Sequence, residues 1–210
     1  MNQPKIPSFV VIEGLEGAGK SSAIERVNQW FARHFPDLER VNTREPGGTP
    51  LAEEIREIWK RPREEAMAPL TELLMVYACR AQLVESVIKP AIAAGKVVIG
   101  DRHNLSSVAY QGGGRGLEQE VAGLSTITLG AFKPCLTLYL DIDPKLGLER
   151  ARGRGELDRI ELESLDFFER ARRCYLDHAA SDPNTVSIDA SQPIDQVQAD
   201  IEAALAKALL

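Results

Sequence analysis

Phe9-Val10-Val11-Ile12-Glu13-Gly14-Leu15-Glu16-Gly17-Ala18-Gly19-Lys20-Ser21 is the stretch on which the fold turns. Its first four residues are apolar and mostly β-branched, as in a short buried strand. From Lys20 to His34 the spacing changes, and Ile24, Val27, Trp30 and Phe31 fall on one helical face. Between strand and helix, Gly14 to Ser21 matches GxxxxGK(S/T) in full. The glycines let the backbone curl so that successive N–H groups point at phosphate oxygens. The helix N-terminus adds the positive end of its dipole. Lys20 is placed to reach β- and γ-phosphates, and the Ser21 hydroxyl to ligate Mg2+.

Outward from this loop the alternation continues. Arg40 to Thr43 is a weaker strand candidate, and Glu45-Pro46-Gly47-Gly48 then breaks the chain. Pro69 to Ala94 reads as one long helix that stops at Gly95, a C-cap. Lys96 to Asp101, Cys135 to Asp141 and Thr185 to Asp189 read as further strands, with helical stretches at 117–130, 144–153, 163–180 and 193–208. Continuous apolar strands alternating with helices predict an α/β fold with a parallel sheet covered on both faces. With the phosphate loop this is a P-loop NTPase-type three-layer fold built on five parallel strands. Without repeats, low-complexity tracts or a linker, residues 1–210 are expected to form a single domain. Ligands in such sheets sit at the carboxyl ends of the strands.

The formal net charge of −6 argues against a nucleic-acid backbone as the main partner. Cys79, Cys135 and Cys174 are odd in number and far apart, which fits reduced thiols in the cytoplasm. Met1 to Ser8 has no apolar core of a signal peptide, and no run of 18 apolar residues predicts a membrane span.

Three more segments carry chemistry. Asp101-Arg102 ends a strand, where Asp101 is placed to hold Mg2+ and Arg102 to clamp a phosphate through two parallel hydrogen bonds. Thr43-Arg44-Glu45-Pro46-Gly47-Gly48 is a tight strand-end loop that turns Arg44 toward the same crevice. Arg150, Arg152, Arg154 and Arg159 crowd a segment loosened by Gly153 and Gly155, which predicts a lid at about 150–161 that supplies positive charge. Tyr110-Gln111-Gly112-Gly113-Gly114-Arg115 reads as a flexible polar stretch that borders a nucleoside. His34, His103 and His178 are well separated, and no Ser–His or Cys–His pairing suggests a triad.

Taken in order, these segments resemble the thymidylate kinase family over almost the whole chain, through Phe9 to Ser22, Thr43 to Gly48, Asp101 to His103, Ala109 to Arg115 and Gly155 to Glu161. The resemblance implies transfer of the ATP γ-phosphate to dTMP, giving dTDP for dTTP synthesis, with Mg2+, in a cytoplasmic homodimer that binds neither nucleic acid nor membrane. It implies ATP binding by Gly14, Leu15, Glu16, Gly17, Ala18, Gly19, Lys20, Ser21 and Ser22. It implies dTMP binding by Glu16, Arg44, Arg80, Arg102, Ser107, Tyr110 and Gln111. The catalytic set would be Lys20, Glu16, Arg102 and Arg154, with Ser21 and Asp101 at the metal. Because Gly17 stands where some members carry an arginine in the loop, the chain looks like the bacterial lid-arginine type. Two positions depart from the usual pattern: Val76 stands where the family has a phenylalanine that stacks on thymine, and His103 stands where many members have tyrosine. Tyr77 is adjacent to Val76 but should point elsewhere on the helix. Another acceptor, such as dUMP or dCMP, remains open at this level, as does a P-loop ATPase switch that hydrolyses ATP without an acceptor.

Overall fold

The computed structural model describes residues 8–153 and 158–210. Five parallel strands form one sheet: β1 (Phe9–Gly14), β2 (Arg40–Arg44), β3 (Val97–Asp101), β4 (Leu136–Asp141) and β5 (Thr185–Asp189), in the order β2-β3-β1-β4-β5. The apolar strands alternate sides into two cores. Val10 and Ile12 of β1 and Val97 and Ile99 of β3 join one cluster with α1 (Lys20–His34), α8 (Leu165–Ser181) and α9 (Ile194–Leu209). Phe9, Val11 and Val98 join the other, with Leu83, Val84 and Ile88. Burial on both faces is why these strands are continuously apolar.

The register sets the level of the chemistry. Ile12 of β1 pairs with Asp101 of β3, and Arg44 of β2 pairs with the same Asp101. The onward connections of β1 and β3 leave toward opposite edges of the sheet, so their carboxyl ends flank the crevice.

Two segments differ from the sequence expectation. Residues 50–68, left unassigned by periodicity, contain α2 (Pro50–Lys60), started by Pro50 and capped by the Thr49 hydroxyl accepting from Ala52 N at 3.1 Å. The stretch 110–115 is not a flexible loop. It continues the short α5 (Asn104–Ser107) as a π-helical segment, Val108–Gly114, with Ala109, Tyr110, Gln111, Gly112 and Gly114 buried. Close packing explains its glycines: a Cβ on Gly114 would stand 2.5 Å from the Phe167 ring, and one on Gly113 would stand 3.0 Å from the Cys174 Cβ. The predicted helix 69–94 forms as α3 (Pro69–Leu83), a π-helical turn at Val84–Ile88 and α4 (Lys89–Ala93). The remaining helices are α6 (Glu118–Leu129) and α7 (Pro144–Arg152). No helix among the described residues is long and apolar enough to cross a membrane.

Candidate active site

A cleft of about 610 Å³ opens at the carboxyl ends of β1, β2 and β3. One half is the phosphate loop, where Glu16, Gly17, Gly19, Lys20, Ser21 and Ser22 line the wall. Gly17 (φ 74°) and Gly19 (φ 86°) take the left-handed turns that the loop requires. Leu15 and Ala18 turn their side chains into the core, which anchors the loop from beneath. Lys20 Nζ donates to the carbonyls of Gly14 (3.1 Å) and Leu15 (3.0 Å), curled back over its own loop. Burial, reinforced by repulsion from Arg102, lowers the Lys20 pKa to about 8.

The other half is lined by arginines on three elements. Arg102 follows β3 and, at φ 69°, is the one non-glycine residue with positive φ among the described residues. Holding it there costs about 1–3 kcal/mol, so its surroundings must fix it. Its Nη2 donates to Glu16 at 2.6 Å and Tyr110 Oη at 3.3 Å, and its Nη1 to Ser106 Oγ at 3.0 Å. Burial opposes the guanidinium charge, but Glu16, Tyr110, Tyr175 and Asp101 together more than restore it and the pKa ends above the usual arginine value.

Arg80, on α3, is fully buried yet reaches the cleft. Its Nε donates to Glu45 Oε2 at 2.7 Å, and its Nη2 to Ser107 Oγ at 2.9 Å and the His103 carbonyl at 3.1 Å. Its Nη1 is buried without a partner among the described residues, a donor left open for a ligand. Burial pushes the Glu45 carboxyl up, but Arg80 and His103 together hold it below the ordinary value. His103 Nδ1–H donates to Glu45 Oε1 (2.7 Å) and the ring packs edge-on against Phe9, so this residue is built into the pair that carries Arg80.

Arg44 is over half exposed, and Glu53 of α2 holds its Nε (3.1 Å) and Nη2 (2.7 Å). Ser107, Tyr110, Gln111, Val76 and Asp101 also line the cleft, as does Arg150, whose Nη1 donates to the Ala190 carbonyl at 3.0 Å. Gln111 is fixed by Glu72, its Nε2 donating at 2.8 Å. Tyr77 turns away, with its hydroxyl on Asn104 Oδ1 at 2.8 Å. Arg152 is exposed and does not line the cleft. Arg159 is engaged away from it, by Glu72 (2.7 Å) and the Trp59 carbonyl (3.0 Å). Arg154 lies outside the described residues.

Periodicity missed Arg56 and Trp59, which α2 brings to the cleft wall. Arg56 is partly buried, and its Nη1 donates to the Pro46 carbonyl at 2.5 Å. The Thr49-Pro50 start signal would have revealed α2, and the spacing from Glu53 to Arg56 would then have set both side chains on one face.

Phosphate-loop amides on one side and a set of carboxylate-held arginines on the other give room for two anionic groups to meet. Comparison with known proteins agrees. The family model described as "Thymidylate kinase" matches residues 12–201. A thymidylate kinase of Shewanella amazonensis is 58% identical over 202 residues, covering 96% of this chain and 97% of that protein. One from Shewanella sp. (strain MR-4) is 59% identical over 198 residues (94% of each chain), and one from Vibrio parahaemolyticus 57% over 201 residues (94% of this chain, 95% of that protein). Fold, cleft and sequence likeness converge, and the chain belongs to the thymidylate kinase family.

Proposed function

We infer that this chain performs its family's reaction, phosphorylating dTMP to dTDP with ATP as donor, and that it does so between the two halves of the cleft. The observation that carries this reading is the single cleft lined both by Lys20 and its loop and by Arg44, Arg80 and Arg102. A switch that only hydrolyses nucleotide needs the first set and has no use for the second.

ATP lies along the loop from Gly14 to Ser22, with Lys20 leaving its carbonyl partners for the phosphates. The dTMP phosphate takes Arg102 and Arg44. The base meets Arg80, whose spare N–H suits a base carbonyl, together with Ser107, Gln111 and Val76. Tyr110 packs beside the sugar, within 3.4 Å of Glu16. The attacking atom is an acceptor phosphate oxygen, already anionic at neutral pH, so no general base is required. Catalysis is therefore positioning and charge neutralisation, in which Lys20, Arg102 and the lid residues Arg150 and Arg154 share the spreading negative charge. Glu16 orients Arg102 and Lys20 until the substrates replace it. The chain acts as one unit with its lid at about 150–161.

Mg2+ fits the residues present. The buried Asp101 Oδ1 has no partner among the described residues, and Asp101 and the exposed Ser21 hydroxyl line the same cleft, an all-oxygen donor set for a hard cation. Bound there with ATP, the ion would neutralise phosphate charge. A homodimer is supported by Leu70 and Leu74 of α3 and Ile127 of α6, which stand exposed on helices that pack together. The free state of Cys79, Cys135 and Cys174 suits the cytoplasm.

The test is coupled ADP release with a panel of acceptors. dTMP-dependent turnover that exceeds turnover with dUMP and dCMP is expected. ADP release that ignores the acceptor would overturn this reading. Arg154→Ala should lower kcat by about 10³-fold or more with little change in KM, and near-parental turnover would remove that residue from the catalytic set. Light scattering of the purified chain decides between dimer and monomer.

A further inference from the structure

Glu13, next to the last residue of β1, has no part in the chemistry above, yet its carboxylate is wholly buried beside the cleft. Both oxygens are saturated. Oε1 accepts from the backbone N–H of His103 at 2.8 Å and of Ser106 at 3.2 Å. Oε2 accepts from Ser106 Oγ at 2.5 Å and Tyr175 Oη at 2.9 Å. A buried carboxylate costs free energy that an apolar side chain would not, and burial indeed raises its pKa although Arg102 partly offsets the rise.

What these bonds surround is Arg102. The N–H of Arg102 donates to the Ile12 carbonyl at 2.9 Å, and the next N–H, of His103, donates to the side chain of the next residue of β1, Glu13. Two consecutive residues of the central strand therefore grip two consecutive amides on either side of the left-handed φ of Arg102. The grip extends to the side chain, because Ser106 Oγ, held by Glu13, accepts from Arg102 Nη1 at 3.0 Å. Tyr175 closes the ring from α8, its hydroxyl 2.9 Å from Ser106 Oγ.

We propose that Glu13 is a positioning residue for phosphoryl transfer, one that fixes both the backbone turn and the guanidinium of Arg102 where the acceptor phosphate arrives. It touches no substrate and acts through Arg102, so the proposal rests on the role given to Arg102 above. Glutamine is the conservative replacement: its Oε1 keeps both amides, and its Nε2 can donate to Ser106 and Tyr175 once those hydroxyls turn. Alanine removes all four bonds.

The experiment measures kcat, KM for each substrate and thermal melting for E13A, E13Q, R102A and E13A/R102A. E13A should lose about 100-fold in kcat/KM for dTMP, the scale of an ångström of misplacement, with KM for ATP within about twofold of the parent. E13Q should recover to within about fivefold, and E13A should cost at most about threefold more once R102A is present. If E13A does not fold, S106A takes its place, with a loss of about tenfold that disappears in the R102A background. Losses that multiply in the double variant, or dTMP parameters that stay parental while only melting falls, overturn the proposal and leave Arg102 its role. A parental R102A overturns both.

Discussion

Replacing Gly147 with alanine tests whether the phosphate loop and α7 are seated backbone to backbone. A Cβ on Gly147 would stand 2.4 Å from the Glu16 carbonyl oxygen, and a Cβ on Gly17 would stand 2.1 Å from the Gly147 carbonyl oxygen. Neither neighbour is a movable side chain. To reach an ordinary carbon–oxygen distance of about 3.4 Å, loop and helix must part by about 1 Å. Displacement on that scale costs about 100-fold in rate, equivalent to about 2.7 kcal/mol of barrier. The stability terms partly cancel. Alanine in a helix gains about 0.5–1 kcal/mol over glycine, whereas overpacking costs about 1–3 kcal/mol. The net loss of about 1 kcal/mol lowers the melting temperature by about 2–4 °C in a chain of this size. The assay is coupled ADP release with ATP varied at saturating dTMP, beside a thermal melt. A drop of about 100-fold in kcat/KM for ATP with nearly parental melting is the expected result. Turnover within about threefold of the parent would show that the contact yields without moving the loop, and the reasoning fails.

Other outcomes follow from the same contacts. Lys20 has its pKa lowered to about 8 in the free protein, and phosphate contacts raise it, so ATP binding takes up a proton at pH 8 and above. Affinity for ATP should fall as pH rises through 8, by at most about tenfold per pH unit, and calorimetry at pH 8.5 in buffers of different ionisation enthalpy that finds proton release would contradict this. Gly114→Ala drives a Cβ to 2.5 Å from the buried Phe167 ring; a loss of about 1–3 kcal/mol is expected in chemical denaturation, and unchanged stability would restore the picture of a loose segment. Of the two tryptophans, Trp30 is in the core and Trp59 lines the cleft. Ligand-induced fluorescence change should therefore persist in W30F, if that variant folds, and disappear in W59F; persistence in W59F would remove Trp59 from the wall.

Much of the fold was legible because three of its strands, β1, β3 and β4, obey one rule. Phe9 to Ile12, Val97 to Ile99 and Leu136 to Leu140 are buried on both faces, so each is an apolar run, interrupted only at Thr137, that stands out against helical spacing. The rule fails where burial has another cause. Residues 108–114 hold three glycines and few large apolar side chains, which by composition describes a loop. They form a buried π-helical segment because glycine lets α8 approach closely, a property of the partner that local sequence does not contain. α2 was missed for the opposite reason. It is short, Ala52 is its one buried residue, and its start is declared by a cap rather than by periodicity.

The site divides along the same line. Lys20 was legible from the phosphate-loop motif, and Arg44, Asp101 and Arg102, at strand ends, because parallel strands deliver their carboxyl ends to one edge. Their restraints were not, because each is a tertiary pairing across distant segments: Arg44 with Glu53, Arg80 with Glu45, Arg102 with Glu16, and Arg102 again through Ser106 with Glu13. These pairings also reconcile a cleft built for two anions with a net charge of −6. Guanidinium groups as buried as Arg80 and Arg102 cannot stand unpaired at the bottom of a cleft. Each acceptor-side arginine is therefore matched by a resident carboxylate, and the local charge stays close to neutral until a phosphate arrives. On the function proposed above, binding is then an exchange of partners, in which Glu16 yields its hold on Arg102 while Glu13, out of reach of the ligand, keeps the arginine aimed.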